Sequence, residues 1–250
     1  MKSLIFANRN LKEIMRDPLS WIFCLGFPLV MLLVMSIINN SIPPQAGMKL
    51  FQIQNLTPGI AVFGLTFVML FAALLISGDR QQAFLLRIFT SPMRSFDYII
   101  GYIIPLIVLS AGQSVITGIA GLIMGLTSDV TLNFLNILTS VLISIPSIIM
   151  FIGFGLLFGT LLNKNAAPGI CSIIITFSGM FGGIWMDVDA MGGTLAKMCN
   201  ALPFIHAVKA ARFAYAGEFA NSFSQTGIVA VWAIVVITLS IVVFKKKMRF

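Results

Sequence analysis

Cutting this sequence at every charged side chain leaves six long uncharged stretches: Pro18–Met48, Leu50–Gly78, Tyr98–Ser128, Val130–Asn163, Asn165–Met186 and Phe219–Phe244. About 20 apolar helical residues cross a bilayer core about 30 Å thick. A helix is also the open-ended structure that satisfies its own backbone where no water can. Each stretch holds one such helix, with spans expected near 20–39, 57–77, 99–126, 136–161, 167–184 and 226–244. A soluble alternative fails on composition. The 250 residues are 58% apolar and 10% charged, whereas soluble domains carry about 25% charged residues and cannot hide so much apolar surface at this size. The expected fold is an all-α integral membrane protein with six transmembrane helices. It forms one domain over 1–250, without internal repeats, linkers or low-complexity tracts.

The net charge of +8 suits nucleic acid in the abstract, but its placement accounts for it otherwise. With the N-terminus inside, twelve of the sixteen Lys and Arg fall on cytoplasmic segments. Only Lys49, Lys197, Lys209 and Arg212 fall outside, and the eight acids divide evenly. That asymmetry follows the positive-inside rule and puts both termini in the cytoplasm. The first apolar run reads as a retained span: its charged leader of 16 residues is long and no small-residue cleavage site follows. Three cysteines are too few for a disulfide framework or a metal site. Cys24 and Cys171 lie in apolar runs and read as buried hydrophobes, while Cys199 has no obvious partner.

Three segments outside the spans carry patterns. Residues 1–17 suit an amphipathic helix in the cytoplasmic interface, with Leu4, Ala7, Leu11 and Ile14 or Met15 on one face. Lys2, Arg9, Lys12 and Arg16 occupy other faces, toward anionic headgroups. Asp17 then serves as N-cap and Pro18 as first helical residue of a new helix; a simple extension of the first span is the competing reading. In the loop 77–101, Asp79 and Gln82 resemble a capping box. Phe84, Leu85, Ile88 and Phe89 form an apolar stripe, Arg80 and Arg87 share another face, and Pro92 stops the helix. Such a helix rests on the membrane or docks into a partner's groove, and the residues alone fit both. Finally, 185–225 is apolar but too interrupted by charge to cross, with Gly182-Gly183, Gly192-Gly193 and Pro203 as punctuation. Short helices on, or re-entering, the outer leaflet are expected there.

Chemistry is thin. No G-x-x-x-x-G-K-[ST] loop occurs, so this chain binds no ATP by that route. The single histidine and the lack of ligand-spaced His, Cys, Asp or Glu indicate no metal site. Every acid lies outside the expected spans, which argues against an ion-coupled carrier. Thr176-Phe177-Ser178-Gly179 is a near miss to a G-x-S-G nucleophile setting, with His206 the available base for an intramembrane serine protease. Serines and small residues also gather where membrane helices pack, and His206 also suits an interfacial hydrogen bond. The Phe and Met side chains fit helix packing or a path for greasy cargo.

These features together resemble the membrane, or permease, subunit of an ABC type-2 transporter, a family of many bacterial exporters. The plan matches: an N-terminal amphipathic helix, six spans, both termini inside and a re-entrant outer hairpin before the last span. Arg87-Ile88-Phe89-Thr90-Ser91-Pro92, continuing to Tyr98-Ile99-Ile100-Gly101, is similar to the family's turn after its coupling helix. Leu202-Pro203-Phe204-Ile205-His206-Ala207-Val208-Lys209-Ala210-Ala211-Arg212 resembles its Pro-to-Arg signature. Ser178-Gly179 and Gly182-Gly183-Ile184-Trp185 resemble its Ser-Gly-rich bend. The chain departs from the pattern at Ala83-Phe84, where the family has Gly-Thr, and at Leu202, where it often has Asn.

The resemblance implies a nucleotide-free half of an exporter in the bacterial plasma membrane. Two such subunits, identical or sister chains, pair and bind two separate P-loop ATPases, which hold the ATP and Mg. Residues 79–92 are then the coupling helix: Arg80 and Arg87 contact the ATPase, Phe84, Leu85 and Ile88 anchor the helix, and Pro92 ends it. Apolar spans rich in Phe and Met suit an amphiphilic or hydrophobic cargo such as a drug, an antimicrobial peptide or a lipid-like molecule. An ATPase-independent channel or carrier is the alternative from another class.

Overall fold

The structure, a computed structural model, describes residues 2–41, 49–81, 95–126 and 132–247, and these are α-helical with no strand among them. In chain order the helices are α1 (Lys2–Arg16), α2 (Pro18–Ser41), α3 (Ile53–Gln81), α4 (Ser95–Leu126), α5 (Phe134–Ile143), α6 (Ile145–Leu161) and α7 (Ala167–Phe181). Then come α8 (Val188–Met191), α9 (Gly193–Ala201), α10 (Pro203–Ala216) and α11 (Phe219–Lys247). Helices α2, α3, α4 and α11 are each long and apolar enough to cross a membrane. The pair α5–α6 reaches that length only together, bent by 47° at Ser144. Helix α7 is apolar but has 15 residues, about 22 Å at 1.5 Å per residue, shorter than a bilayer core. The described helices therefore give four or five span candidates by length and composition, against the six expected.

Two of the expected spans differ from their helices for identifiable reasons. The stretch 136–161 is broken because Pro146 has no N–H to donate and opens a new helix just after Ser144. The stretch 167–184 ends at Phe181. A Cβ on Gly182 would sit 2.2 Å from the Ser178 carbonyl oxygen, and Gly183 adopts φ +71°, so these two glycines make a turn closed to other residues.

Helix α3 is the hub: 83% of its most apolar window is buried, against 22% for α2 and 28% for α11. Its neighbour α6 approaches closely because Gly155 and Gly159 lie on the facing side. A Cβ on Gly155 would come within 2.6 Å of the Met69 carbonyl oxygen, and one on Gly159 within 2.8 Å of that of Ala73. Small residues four apart let membrane helices gain dispersion energy where lipid supplies no hydrophobic drive. On the α2 side, Phe23 and Phe27 pack on Phe63, Phe67 and Phe71. Helix α2 reaches that register through a π-helical turn at Ile22–Gly26.

Asp17 separates α1 from α2 as its sequence position suggests. Its carboxylate accepts from the Leu19 and Ser20 N–H groups, and Pro18 occupies the first turn. The apolar face expected on α1 is only partly the packed one. Ala7 and Ile14 are buried, together with Phe6 and Asn10, whereas Leu4 is 60% and Met15 48% exposed. Phe6 meets Tyr98 and Tyr102 edge-on at 5.7 and 5.0 Å between centroids, lying over Gly101 of α4. The helix carries two apolar sectors, and the one with the aromatic ring packs on the protein. All three cysteines are buried and free.

Candidate functional site

Polar side chains gather at the two ends of α3. Asn55 and Asp79 mark those ends, 24 residues and hence about 36 Å apart along the helix axis. At the Asp79 end, α1, α3, α4 and α6 converge. Asp79 is 3% exposed and sits in the last helical turns before Gln81, so it is not the N-cap that its spacing to Gln82 suggested. Its carboxylate receives two parallel hydrogen bonds from the Arg9 guanidinium, Nη1 to Oδ2 at 3.0 Å and Nη2 to Oδ1 at 3.1 Å. The Tyr102 hydroxyl donates to Oδ2 at 2.7 Å. A bidentate guanidinium and a phenol satisfy a buried carboxylate that would otherwise be costly.

Arg9 also donates to Asn10 Oδ1 at 3.0 Å and pairs with Glu13 at 2.8 Å. Asn10 in turn donates to the Gly101 carbonyl at 3.0 Å. Burial works against the charge of Arg9, but the hydrogen bond and charge of Asp79 outweigh it and raise its pKa. Partial burial pushes the Glu13 carboxyl above its ordinary value, with the Arg9 charge opposing that. Ser3 donates to Asp97 at 2.8 Å. Helix α1 therefore grips both α3, near its last residue, and α4, near its first.

Arg80 points the other way. Its Nη1 donates to the carbonyls of Gly159 (3.1 Å), Thr160 and Leu162 (3.2 Å), the free carbonyl end of α6. A cation there is favoured by the unpaired carbonyls and the helix dipole. The Arg80 guanidinium expected on a partner is thus engaged within the chain. Phe84, Leu85, Arg87, Ile88 and Pro92, and with them Ala83, lie outside the described residues. A cavity of about 270 Å³ opens beside the knot, among Glu13, Asp17, Ser20, Asp79, Lys164 and apolar residues of α3.

At the Asn55 end, the Gly182-Gly183 turn delivers the chain to α8–α10. Arg212 of α10 holds it there, Nε donating to the Asn55 carbonyl at 3.0 Å and Nη2 to that of Gly183 at 2.9 Å. Pro203 starts α10 in its first turn. Gly179 leaves room for the Trp185 indole, which stands edge-on to Phe63 at 5.7 Å. His206 Nε2 donates to the Asn200 carbonyl at 2.9 Å, and Nδ1 lies 2.7 Å from Gln225 Oε1. Ser178 is fully buried and its hydroxyl has no hydrogen-bond partner among the described residues. Both imidazole nitrogens are committed elsewhere, so Ser178 and His206 do not form a nucleophile–base pair and the protease alternative loses its site.

Sequence reading singled out Arg80, Gly182, Gly183 and Arg212 but missed Arg9, Tyr102, Asn10 and Asn55 as their companions. In the sequence Arg9 shares its helix with Lys2, Lys12 and Arg16, and no local signal marks it as the one that pairs inside the chain. No His, Cys, Asp or Glu group among the described residues is arranged to hold a metal ion.

A family model described as ABC-2 type transporter matches residues 3–216. No curated protein matches the sequence. The match runs from α1 through α10, taking in both polar ends of α3 and the Pro203-to-Arg212 helix. This chain belongs to the ABC-2 type transporter family of membrane proteins, as a transmembrane transport subunit.

Proposed function

We propose that the chain is the membrane half of an ATP-driven exporter of amphiphilic or hydrophobic cargo in a bacterial plasma membrane. In this reading α5–α6 is one bent span and α7 another, giving six spans with both termini cytoplasmic. Helices α8–α10 form the re-entrant outer hairpin before the last span. Two copies, or this chain and a sister, pair and seat two P-loop ATPases that carry the ATP and Mg.

The observation that carries this reading is the knot at the Asp79 end of α3. Residues 82–94 leave from α3 and return to α4 between two fixed stems: Asp79 and Arg80 on one, Asp97 and Tyr102 on the other. Stems held so firmly pass a push on to the bundle rather than absorbing it. Arg87, Phe84, Leu85, Ile88 and Pro92 are assigned to the coupling surface, and Arg80 to its stem. Nucleotide must favour one arrangement of the pair over the other for cargo to move.

Affinity capture of the gently solubilised chain from its native host, followed by mass spectrometry, tests the reading. A near-stoichiometric P-loop ATPase is expected. Recovery of the chain alone in several detergents sinks the proposal and favours a channel or carrier. In the reconstituted complex, Arg87→Glu should leave ATP hydrolysis running while cargo-dependent stimulation and transport fall together. Unchanged coupling removes residues 82–92 from the role given them.

A further inference from the structure

Inside the bundle, away from both ends of α3, Ser114 of α4, Ser140 of α5, Ser144 at the α5–α6 bend and Tyr215 of α10 surround a small cavity. Ala61, Val62, Leu65, Val141 and Ala211 complete its wall. All four hydroxyl-bearing residues are more than nine-tenths buried. Among the described residues none of the four hydroxyls has a hydrogen-bond partner. Several other buried hydroxyls do find a helix carbonyl. Ser110 donates to the Leu106 carbonyl, Thr160 to that of Leu156, and Ser222 to that of Ala210. Back-bonding to a helix carbonyl is the ordinary resting place of a serine in such a helix, and Ser114, Ser140 and Ser144 forgo it.

The cavity offers about 10 Å³ for the centre of a water molecule, enough for one water and too little for any organic group. Tyr215 reaches it because Gly118 leaves room, a Cβ there standing 2.8 Å from the phenol oxygen. A hydroxyl facing such a space without a partner is disfavoured, and one water making about three hydrogen bonds relieves it. We infer that this cavity is a binding site for a single water, which bridges the bend at Ser144 to α4 and α10.

The site has a structural logic. Pro146 interrupts the α5–α6 hydrogen-bond ladder, and a broken helix in lipid needs polar groups restored by neighbours or ordered water. Here the restoring groups converge from three other places on the chain. The Asn136 side chain already ties α5 to α10 through the Tyr215 carbonyl at 3.0 Å, so the water adds a second link beside an existing one.

X-ray radiolytic hydroxyl labelling of the full chain in lipid nanodiscs, read by mass spectrometry, tests this directly. Radicals form from bound water, so Tyr215 should label several-fold faster than Tyr98, which is fully buried. Ser144→Val, which fills the cavity, should bring Tyr215 down to the rate of Tyr98. Equal rates in the unmodified chain overturn the inference, as does labelling that persists in a folded Ser144→Val. A second measurement covers a misfolded variant. Ser140→Ala and Tyr215→Phe each remove one leg of the same water, so their losses in Tm should combine to less than their sum; additive losses overturn the inference.

Discussion

Asp79 concentrates the risk in this molecule: a carboxylate 3% exposed, whose counter-charge sits on a helix 70 residues earlier. Arg9→Ala leaves that carboxylate with Tyr102 alone. The expected loss is about 3 kcal/mol, the low end for a broken buried pair, because the Arg9 side chain is itself 34% exposed. Thermal unfolding in detergent reads it, and replacing both partners by apolar residues should recover much of it. Glu13 gives the pH counterpart. Its raised carboxyl means the folded chain holds the proton more tightly than the unfolded one. That stabilising contribution is full below the ordinary value of 4.5 and fades as pH rises through the raised value. Glu13→Gln should therefore lose less Tm than the parent between pH 4.5 and neutrality, and an identical loss removes Glu13 from the account.

Among elements, the α3–α6 contact depends on two hydrogen atoms standing where methyl groups would. Gly155→Ala pushes a Cβ to within 2.5 Å of that of Ala72 and 2.6 Å of a carbonyl oxygen, so α6 must back away and its dispersion contacts weaken. The expected cost is about 1–3 kcal/mol, as for overpacking in any close-packed core. Gly169→Ala, with nothing within 4 Å, should cost nothing and serves as the control in the same melting assay. Charge-free length and the Asp17-Pro18 pair were legible in the sequence because each is a local signal. The packed face of α1 was not, since the helix carries two apolar sectors and periodicity cannot say which of them meets the protein. Proline was ambiguous for a related reason. Pro58 and Pro105 lie inside unbroken helices, while Pro146 starts a new one, and the difference lies in neighbours that the sequence does not bring together. Arg9, Asp79 and Tyr102 form one unit only after α1 folds back over α3 and α4.

At the scale of the whole molecule, lopsided charge predicts lopsided accessibility. With Lys197→Cys and Lys246→Cys made separately in a chain whose native cysteines are replaced, a membrane-impermeant maleimide should label the first in intact cells. The second should label only after lysis. The reverse pattern inverts the orientation and with it the side on which any ATPase must sit. The π-helical turn of α2 bears on how such a molecule can change over time. A π turn takes about one residue more than an α turn, in effect an insertion absorbed without interrupting the helix. Each residue added or removed turns everything beyond it by 100°. Phe27 follows the turn and faces Phe63 and Phe67, while Trp21 precedes it and its indole donates to the Met15 carbonyl. The turn is therefore the phase adjuster between the two ends of α2. A lineage that lost one residue within 22–26 would gain a more regular helix and be unable to seat both ends of it at once.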